Sequence, residues 1–563
     1  MDKKIKTLEN SSQLIEIDEN FKLNAGPGSG KTTFLINHIK HIIDESDKLN
    51  YSRKIACITH TNIASDTIKE RLENSINEVE VSTIHHFLYK HIVKPYLWTV
   101  ATDFNLDDNS LSHIKKCFPS HSKLPQQFFW VWKDKGEEYI YSRLKKLNWV
   151  FDENKKLTIN TLDSPNLPKE FLIEYKKNCW KDGSISPEDI LFFSYNILNK
   201  NPKIANIIKI KFPYLFIDEF QDTNELQCEI INLIVESGII LGVVGDIAQS
   251  IYKFQGADVK SFINFKISNN FNEYNLKNNH RSNEYIVNIL NKIRPDFKQK
   301  CCKPNKTTIK PTIIIGNFID AYNEVKDLLQ ENFYSLTFKN ENTNKLEYQT
   351  LKNNIKFNYL SEKQINNIFK KDSSYIRRNA LRYSILAIES FRNKNIKESL
   401  HYMKNFCKKE DIDKYESIQN LFYLNYEYKN YKYKSITDFS NNYLKNKCKD
   451  IPTISRKGAK EEYDKYNYLD FALSLINNSN NQYFRTIHSC KGDEFNNVFL
   501  FLENEKKLNF LIEPNLKYNE EHRVYYVALS RAKEHIFINT PTLAASNITY
   551  LENMGFEILN LNK

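Results

Sequence analysis

The chain has 563 residues and a formal net charge of +11, from 80 lysines and arginines against 69 aspartates and glutamates. At roughly 150 residues per domain, this length predicts three or four domains. Hydrophobic residues make up 41% of the chain and aromatic residues 13%, which excludes a wholly disordered protein. The modest basic excess is compatible with a polyanionic partner but does not require one.

Membrane and metal-cluster classes are not expected. No apolar run approaches the ~18 residues of a membrane-spanning helix, and no apolar stretch follows the basic N-terminus. The nine cysteines include no C-x-x-C pair, which argues against zinc or iron–sulfur ligation and for a reducing compartment. We therefore expect a cytoplasmic protein that does not bind membranes.

The first predicted elements are a short apolar strand, a glycine-rich loop and a helix. Three of the 13 glycines lie within five residues here, and Lys31 and Thr32 follow them. Such a loop lets backbone N–H groups converge on phosphate oxygens, with the lysine on the β- and γ-phosphates and the hydroxyl on Mg²⁺. A glycine turn that binds nothing is the alternative. The predicted loop residues are Ala25, Gly26, Pro27, Gly28, Ser29, Gly30, Lys31, Thr32 and Thr33.

A second chemical element follows a predicted buried strand at residues 212–217. Asp218 and Glu219 stand at the carboxyl end of that strand, where open α/β sheets bind ligands. Asp218 can hold Mg²⁺, and Glu219 can orient or deprotonate the attacking water.

Six blocks of sequence, one of which overlaps the second of these elements, occur in order along the chain. They begin at Ile58 (Ile-Thr-His-Thr-Asn-Ile-Ala-Ser), Ile217 (Ile-Asp-Glu-Phe-Gln-Asp-Thr), Val244 (Val-Gly-Asp-Ile-Ala-Gln-Ser-Ile-Tyr-Lys-Phe-Gln-Gly-Ala), Asn279 (Asn-His-Arg-Ser), Thr486 (Thr-Ile-His-Ser-Cys-Lys-Gly-Asp-Glu-Phe) and Tyr526 (Tyr-Val-Ala-Leu-Ser-Arg-Ala). With the glycine-rich loop, they resemble the UvrD/Rep/PcrA branch of superfamily-one helicases. The resemblance implies an α/β protein of two RecA-like P-loop NTPase lobes, with ATP between them and single-stranded DNA across them.

The resemblance also assigns roles in an ATP site. Gln249 is similar to the γ-phosphate sensor, and Arg281 and Arg531 are similar to two arginine fingers presented by the second lobe. Gln13 and His280 occupy the places of the residues that contact adenine, and Glu494 matches the acid that contacts ribose. Lys31, Asp218 and Glu219 complete the expected catalytic set, with ATP and Mg²⁺ as the expected cofactors.

A track for DNA is implied in the same way. Phe254 replaces the family tryptophan on which a base stacks, and a flat ring suffices for stacking. The other residues in blocks that meet the strand in relatives are Thr59, His60, Asn62, Thr83, His85, Thr486 and His488.

Four positions depart from the family pattern. Ala25 replaces a glycine, His280 a tyrosine against adenine, Gln255 an arginine after the stacking ring, and His60 a phenylalanine that wedges between bases. The last three put efficient unwinding in doubt more than ATP hydrolysis.

The spacing of the blocks predicts two insertions. Motifs vanish between about 91 and 205, and again over 352–478, where the periodicity is helical. We therefore expect a first lobe at 1–90 and 206–268 with a helical insertion at 91–205. The second lobe is expected at 269–351 and 479–563, with a reduced helical insertion at 352–478.

One further pattern lies in the second insertion. Residues 426–434 alternate tyrosine with lysine, as single-strand binders do. A solvated face of a helix or strand is the favoured explanation, because tyrosine and lysine are frequent throughout this chain.

The leading hypothesis is a DNA-dependent ATPase that moves on single-stranded or tailed duplex DNA, 3′ to 5′ by resemblance, in defence against phage or in DNA repair. The compact layout also resembles the helicase component of Gabija anti-phage systems. The alternative is therefore an ATPase subunit that senses nucleic acid and assists an OLD-family (GajA-like) nuclease in a hetero-oligomer. A P-loop protein acting on a small molecule would leave the blocks with Phe254 and His488 unexplained.

Overall fold

The computed structural model describes residues 5–107, 115–116, 121–133, 137–161, 167–253, 256, 259–265, 271–305, 307–351, 360, 362–404, 406, 414–455, 457–475 and 483–562. The chain divides into two compact units. The first comprises Met1–Ile309 with Asn509–Glu534, and the second comprises Lys310–Leu508 with His535–Lys563. Each unit contains a mainly parallel sheet with helices, so the predicted α/β class is confirmed.

The first unit is built on a seven-stranded sheet in the order β1-β7-β2-β6-β5-β3-β4, and every adjacent pair is parallel. Because strand order and chain order differ, the connections cross over the sheet and carry the helices. The strands are β1 (Lys6–Leu8), β2 (Asn20–Ala25), β3 (Ile55–Thr59), β4 (Val79–Thr83), β5 (Tyr214–Ile217), β6 (Ile240–Gly245) and β7 (Phe271–Leu276).

Both faces of this sheet are buried. In β5, Tyr214 and Phe216 belong to one hydrophobic cluster, whereas Leu215 and Ile217 belong to another on the opposite face. This alternation follows from the two-residue period of a strand. It explains why residues 212–217 form a continuous apolar run, as expected of a parallel strand covered on both sides.

The helices of the first unit cover these faces. The glycine-rich loop leads directly into the first long helix, as predicted. The α-helices are Lys31–Glu45, Asn62–Leu72, Ile84–Leu88, Lys94–Tyr96, Trp130–Lys133, Glu137–Leu144, Lys169–Trp180, Pro187–Lys200, Lys203–Lys211, Glu225–Val235, Val259–Asn264, Glu284–Ile293, Asn509–Ile512 and Glu520–Leu529.

The segment between β4 and β5 contains a β-hairpin as well as the predicted helices. Strands Leu147–Phe151 and Leu157–Thr161 pair antiparallel. Trp149 of this hairpin stacks on Phe192 with ring centroids 3.9 Å apart. The aromatic core of the segment is continuous with the residues under one face of the sheet.

Strand β7 lies in the first sheet although it follows residue 268, where the sequence places the end of the first lobe. Six consecutive residues, Phe271–Leu276, pair in register with β2. Strand β7 also pairs with β1. The start of the segment that the sequence assigns to the second lobe, residues 269–351, is therefore part of the first sheet. Short parallel pairs also join Asn278–Asn279 to Lys300–Cys301 and Lys115–Lys116 to Ser184–Ile185.

The second unit has a six-stranded sheet in the order β10-β9-β11-β12-β8-β13. The strands are β8 (Thr312–Ile315), β9 (Tyr334–Thr337), β10 (Phe484–Thr486), β11 (Phe495–Phe501), β12 (Ala532–Thr540) and β13 (Glu557–Asn560). The helices are Phe318–Leu329, Asn340–Leu351, Glu362–Lys371, Tyr375–Arg392, Ile396–Lys404, Lys414–Tyr426, Tyr428–Tyr431, Ile436–Asp438, Lys457–Tyr463, Tyr468–Leu475 and Ala545–Met554.

Helices between β9 and β10 form a group with its own hydrophobic core. This core includes Leu381, Ile385, Leu424 and Phe439, each buried. The longest of these helices, Tyr375–Arg392, lies where the sequence predicts helical periodicity. In the described part of the chain, no helix has the length and apolar character needed to span a membrane.

Candidate active site

The glycine-rich loop is shaped by two residues in the left-handed backbone region. Gly28 has φ 68° and Gly30 has φ 86°. A Cβ at position 28 would lie 2.6 Å from Cβ of Arg281 and 2.8 Å from Oδ1 of Asn279. Both the positive φ and these short contacts therefore exclude a side chain at position 28. Gly30 then begins the helix Lys31–Glu45, whose N-terminus receives no side-chain cap.

Hydrogen bonds within the glycine-rich loop and from the rest of the first unit hold the loop in place. The Ser29 hydroxyl donates to the carbonyl of Gly26 over 2.7 Å. Nε2 of Gln299 donates to the carbonyl of Pro27 over 2.9 Å, and the backbone N–H of His280 donates to the carbonyl of Gly28 over 2.9 Å.

The two predicted carboxylates lie at the carboxyl end of β5, beside the loop. Nζ of Lys31 is 3.8 Å from Oε1 of Glu219. Asp218 is 3% exposed, and its backbone N–H donates to the carbonyl of Ile58 in the neighbouring strand. The sheet therefore brings Lys31, Asp218 and Glu219 together, although Asp218 and Lys31 are distant in sequence.

Glu219 adopts a backbone conformation that residues with a Cβ rarely use. Its φ of 53° lies in the left-handed region, which costs of order 1–3 kcal/mol for a residue other than glycine. The backbone N–H of Glu219 donates to Oδ1 of Asp218 over 2.9 Å, and Gln221 Nε2 donates to Oε2 of Glu219. These hydrogen bonds fix the direction of both carboxylates.

A buried polar network continues from Glu219 to Arg531. The Oε1 atom of Gln221 accepts from the backbone N–H of Asp246 over 2.9 Å. Nε2 of Gln249 donates to Oδ2 of Asp246 over 2.6 Å, and Nη2 of Arg531 donates to Oε1 of Gln249 over 2.9 Å. Arg531 is 2% exposed and Gln249 3%, so solvent screens these contacts little.

Arg294, the residue immediately after the helix Glu284–Ile293, completes the network. Its Nη1 atom lies 2.7 Å from Oδ1 of Asp246. Burial would lower the pKa of the Arg294 guanidinium, but the Asp246 carboxylate, together with Tyr526 and Asp296, raises this pKa above its usual value. Removing one partner of such a buried ion pair typically costs about 3–5 kcal/mol of stability.

Arg281 lies beside the glycine-rich loop and is half-buried. Its Nη1 atom donates to the carbonyl of Ser530 over 2.8 Å, and its backbone N–H donates to Oδ1 of Asn279. Both Arg281 and Arg531 belong to the compact unit that contains the loop, whereas the sequence assigns them to the second lobe. The ladder formed by β7 and the contacts of Asn279 and His280 explain this grouping.

The remaining predicted nucleotide contacts are at the surface. Thr32 is half-buried in the first turn of its helix, and Thr33 and His280 are exposed. Gln13 is also exposed, and its Oε1 atom accepts from the backbone N–H of Glu9 over 2.7 Å. Glu494 is exposed in the second unit, immediately before β11.

In the first unit, the predicted DNA contacts cluster where two neighbouring strands end. Thr59 and Thr83 are directly paired at the carboxyl ends of β3 and β4. The Thr59 hydroxyl is buried and donates to the carbonyl of Thr61, while Thr83 caps the helix Ile84–Leu88.

The neighbouring side chains differ in exposure. Asn62 is exposed, and His60 and His85 are half-buried. Burial lowers the pKa of the His85 imidazole, so this ring is neutral at physiological pH.

In the second unit, Thr486 and His488 follow one another at the end of β10. The Thr486 hydroxyl accepts from the backbone N–H of Ser489 over 3.2 Å. The His488 ring packs edge-on against Phe338 with centroids 5.8 Å apart. Phe254 and Gln255 lie outside the described residues.

Sequence reasoning missed four residues that support this arrangement. Gln221 and Asp246 lie within the quoted blocks, and their polar side chains in buried strand ends are the signal that could have found them. Arg294 and Gln299 lie outside every block, and nothing in the local sequence marks them.

Two family models match the chain. The UvrD/REP helicase N-terminal domain matches residues 8–272, and the UvrD-like helicase C-terminal domain matches residues 474–542. Together they cover more than half of the chain.

Three relatives illustrate the range of similarity. A probable DNA helicase II homolog of Mycoplasma capricolum is 29% identical over 50% of this chain and 40% of that protein. The Gabija protein GajB of Bacillus cereus is 26% identical over 64% of this chain and 59% of that protein. The ATP-dependent DNA helicase Rep of Buchnera aphidicola is 25% identical over 91% of this chain and 90% of that protein. The two family models and these relatives agree, and the chain belongs to the UvrD/Rep family of DNA helicases.

Proposed function

We propose that this chain is an ATP-dependent translocase on single-stranded DNA, which moves 3′ to 5′ and opens tailed duplexes. The observation that carries the proposal is the series of contacts from Lys31 and Glu219 through Gln221 and Asp246 to Gln249 and Arg531. A network of this kind can transmit a change at the γ-phosphate to distant elements, because its members from Gln221 to Arg531 are buried and mutually hydrogen-bonded.

The proposed chemistry is attack of water on the γ-phosphate of ATP. Lys31 and the backbone N–H groups of the glycine-rich loop bind the phosphates. Glu219 accepts a proton from the attacking water, because its carboxylate is held by hydrogen bonds beside Lys31. Arg281 and Arg531 stabilise the charge on the transferring phosphoryl group, an effect worth 10³–10⁵ in kcat for arginine fingers.

Thr32 and Asp218 are the residues that would hold Mg²⁺. A hydroxyl in the first turn of the helix and a nearly buried carboxylate at a strand end are the oxygen ligands that this ion accepts alongside nucleotide phosphates. When bound, Mg²⁺ would neutralise charge that develops on the β- and γ-phosphates.

The first unit would contact the strand through Asn62 and Thr83, and the second through Thr486 and His488. Sequence-independent binding is expected, because phosphate contacts and base stacking carry no direct sequence information. Gln249 would report the nucleotide state, since it lies between Asp246 and Arg531.

Hydrolysis with and without DNA tests the proposal. We expect the purified chain with Mg²⁺ to hydrolyse ATP several-fold faster when an oligonucleotide strand is added, and Lys31→Ala to abolish the activity. Strand displacement on duplexes with a 3′ or a 5′ tail measures direction. An ATPase rate that is equal with and without a strand contradicts the proposal.

A second candidate function is favoured by the similarity to GajB. In this alternative, the chain is a DNA-stimulated ATPase that assists an OLD-family nuclease and unwinds little by itself. Stimulated hydrolysis without strand displacement, together with activation of a co-expressed nuclease from an adjacent gene, would favour this alternative. Strand displacement by the isolated chain would favour the first.

A further inference from the structure

Exposed aromatic and basic side chains form a line along two consecutive helices of the second unit, Lys414–Tyr426 and Tyr428–Tyr431, and just beyond them. Along the helices their positions differ by four and three residues, the spacing that places side chains on one face of a helix, and the last position follows four residues later in the turn after the second helix. The rings of Phe422, Tyr426 and Tyr433 are 58%, 81% and 54% exposed. The four residues, here named the aromatic stripe, are Phe422, Tyr426, Lys429 and Tyr433.

The opposite face of the same helices anchors them in the core. Leu421, Leu424 and Tyr431 are at most 1% exposed, and the Tyr431 hydroxyl donates to the carbonyl of Leu424 over 2.7 Å. The large aliphatic side chains therefore point inward, and the rings of the stripe remain at the surface. Exposed rings in such a line are unusual unless they bind a partner.

The charge beside the stripe is positive. Residues 414–449 include seven lysines, against the acidic residues Glu416, Glu427 and Asp438. Nζ of Lys432 lies 4.6 Å from the ring centroid of Tyr433. In the described part of the chain, Lys429, Lys432, Lys434 and Lys447 form no ion pair.

We propose that the aromatic stripe binds a single-stranded polynucleotide, at a site separate from the strand contacts described above. This inference rests on the proposed function, because it requires that the chain act on DNA. Exposed bases stack on aromatic rings irrespective of sequence, and unpaired lysines beside the rings neutralise phosphates. A protein partner is disfavoured, because the aliphatic residues that would form an apolar interface core are directed inward.

Removal of two rings tests the stacking. We expect Tyr426→Ala/Tyr433→Ala to weaken binding of a fluorescent oligo(dT) by about fivefold or more for each ring. Tyr375→Ala is the matched control, because Tyr375 is an exposed tyrosine (46%) in the same group of helices and lies beside Arg378. The control should bind as the unmodified chain does, and oligo(rU) in parallel compares DNA with RNA.

Removal of two charges tests the neutralisation of phosphates. For a single strand, the slope of log K against log salt concentration falls by about 0.7 for each phosphate that the protein no longer neutralises. Lys429→Gln/Lys432→Gln should therefore reduce the slope by about 1.4. ATP hydrolysis without DNA and the far-UV circular dichroism spectrum should be unchanged in both double variants, which shows that the first unit and the helices of the second are folded.

The outcomes separate this inference from the proposed function. If the unmodified chain binds no oligonucleotide, the proposed function is contradicted as well. If it binds and both double variants bind with the same affinity and salt slope, only the aromatic stripe is refuted. If the double variants bind the oligonucleotide normally but no longer associate with a protein that the unmodified chain binds, the inference is also refuted. The aromatic stripe is then a binding surface for that protein.

Discussion

His38 lies on the buried side of the helix that follows the glycine-rich loop. The side chain is 2% exposed, and its ring is parallel to Phe34 and edge-on to Phe21, at 5.9 Å and 5.2 Å between centroids. Among the described residues, neither ring nitrogen has a hydrogen-bond partner. Burial, with a smaller contribution from His41, lowers the pKa of His38 from 6.5 to about 3. The imidazole is therefore neutral in the folded protein down to about pH 4.

Acidification should destabilise the first unit through this residue. In the unfolded chain, His38 takes up a proton below pH ~6.5, whereas in the folded chain it does so only near pH 3. Between these values the unfolded state binds more protons, so stability falls as the pH falls through this window. The loss from His38 alone is about 2 kcal/mol at pH 5 and approaches 5 kcal/mol below pH 3.

Urea unfolding followed by tryptophan fluorescence can measure this loss in the full chain, because all the tryptophans lie in the first unit. Between pH 7.5 and pH 5, the unmodified protein should lose about 2 kcal/mol more than the variant His38→Leu. Equal pH dependence in the two proteins would refute the reasoning, since His38 would then be protonated in the folded state. The tryptophans are Trp98, Trp130, Trp132, Trp149 and Trp180.

Three further substitutions test the site. Gly28→Ala places a Cβ 2.6 Å from that of Arg281 in a left-handed conformation, so it should lower the melting temperature and ATP hydrolysis together; unchanged values would argue against this loop geometry. Glu219→Gln should retain ATP and DNA binding in equilibrium assays but stop hydrolysis, and continued turnover would exclude Glu219 as the base. Arg531→Ala should reduce kcat by ~10³ and leave Gln249 without its partner; an effect confined to KM would contradict a role in the transition state.

Local sequence predicted those features that depend on neighbouring residues. The glycine-rich loop, the helix after it and the buried strand before Asp218 are fixed by glycine conformation and by runs of apolar residues. The fold class followed from the family resemblance, which implies lobes in which strands alternate with helices and form parallel sheets. The family was identified from short blocks whose order along the chain is preserved.

Other features depend on contacts between distant positions and had no local signal. Asp246 and Arg294 pair across 48 residues, and neither lies in a periodic pattern that indicates its partner. Strand β7 joins the first sheet because it fits beside β2, which no boundary of composition reveals. The hairpin at Leu147–Phe151 and Leu157–Thr161 was missed because aromatic residues are common in both helices and strands of this chain.

The left-handed backbone conformation of Glu219 implies that stability and catalysis favour different residues at position 219. Glycine or asparagine would adopt the φ of 53° at less cost than glutamate, but neither carries a carboxylate. A library of variants at position 219 that is selected only for thermal stability should therefore be enriched in chains that are more stable but catalytically inactive. Selection for thermal stability alone would therefore replace the glutamate at this position.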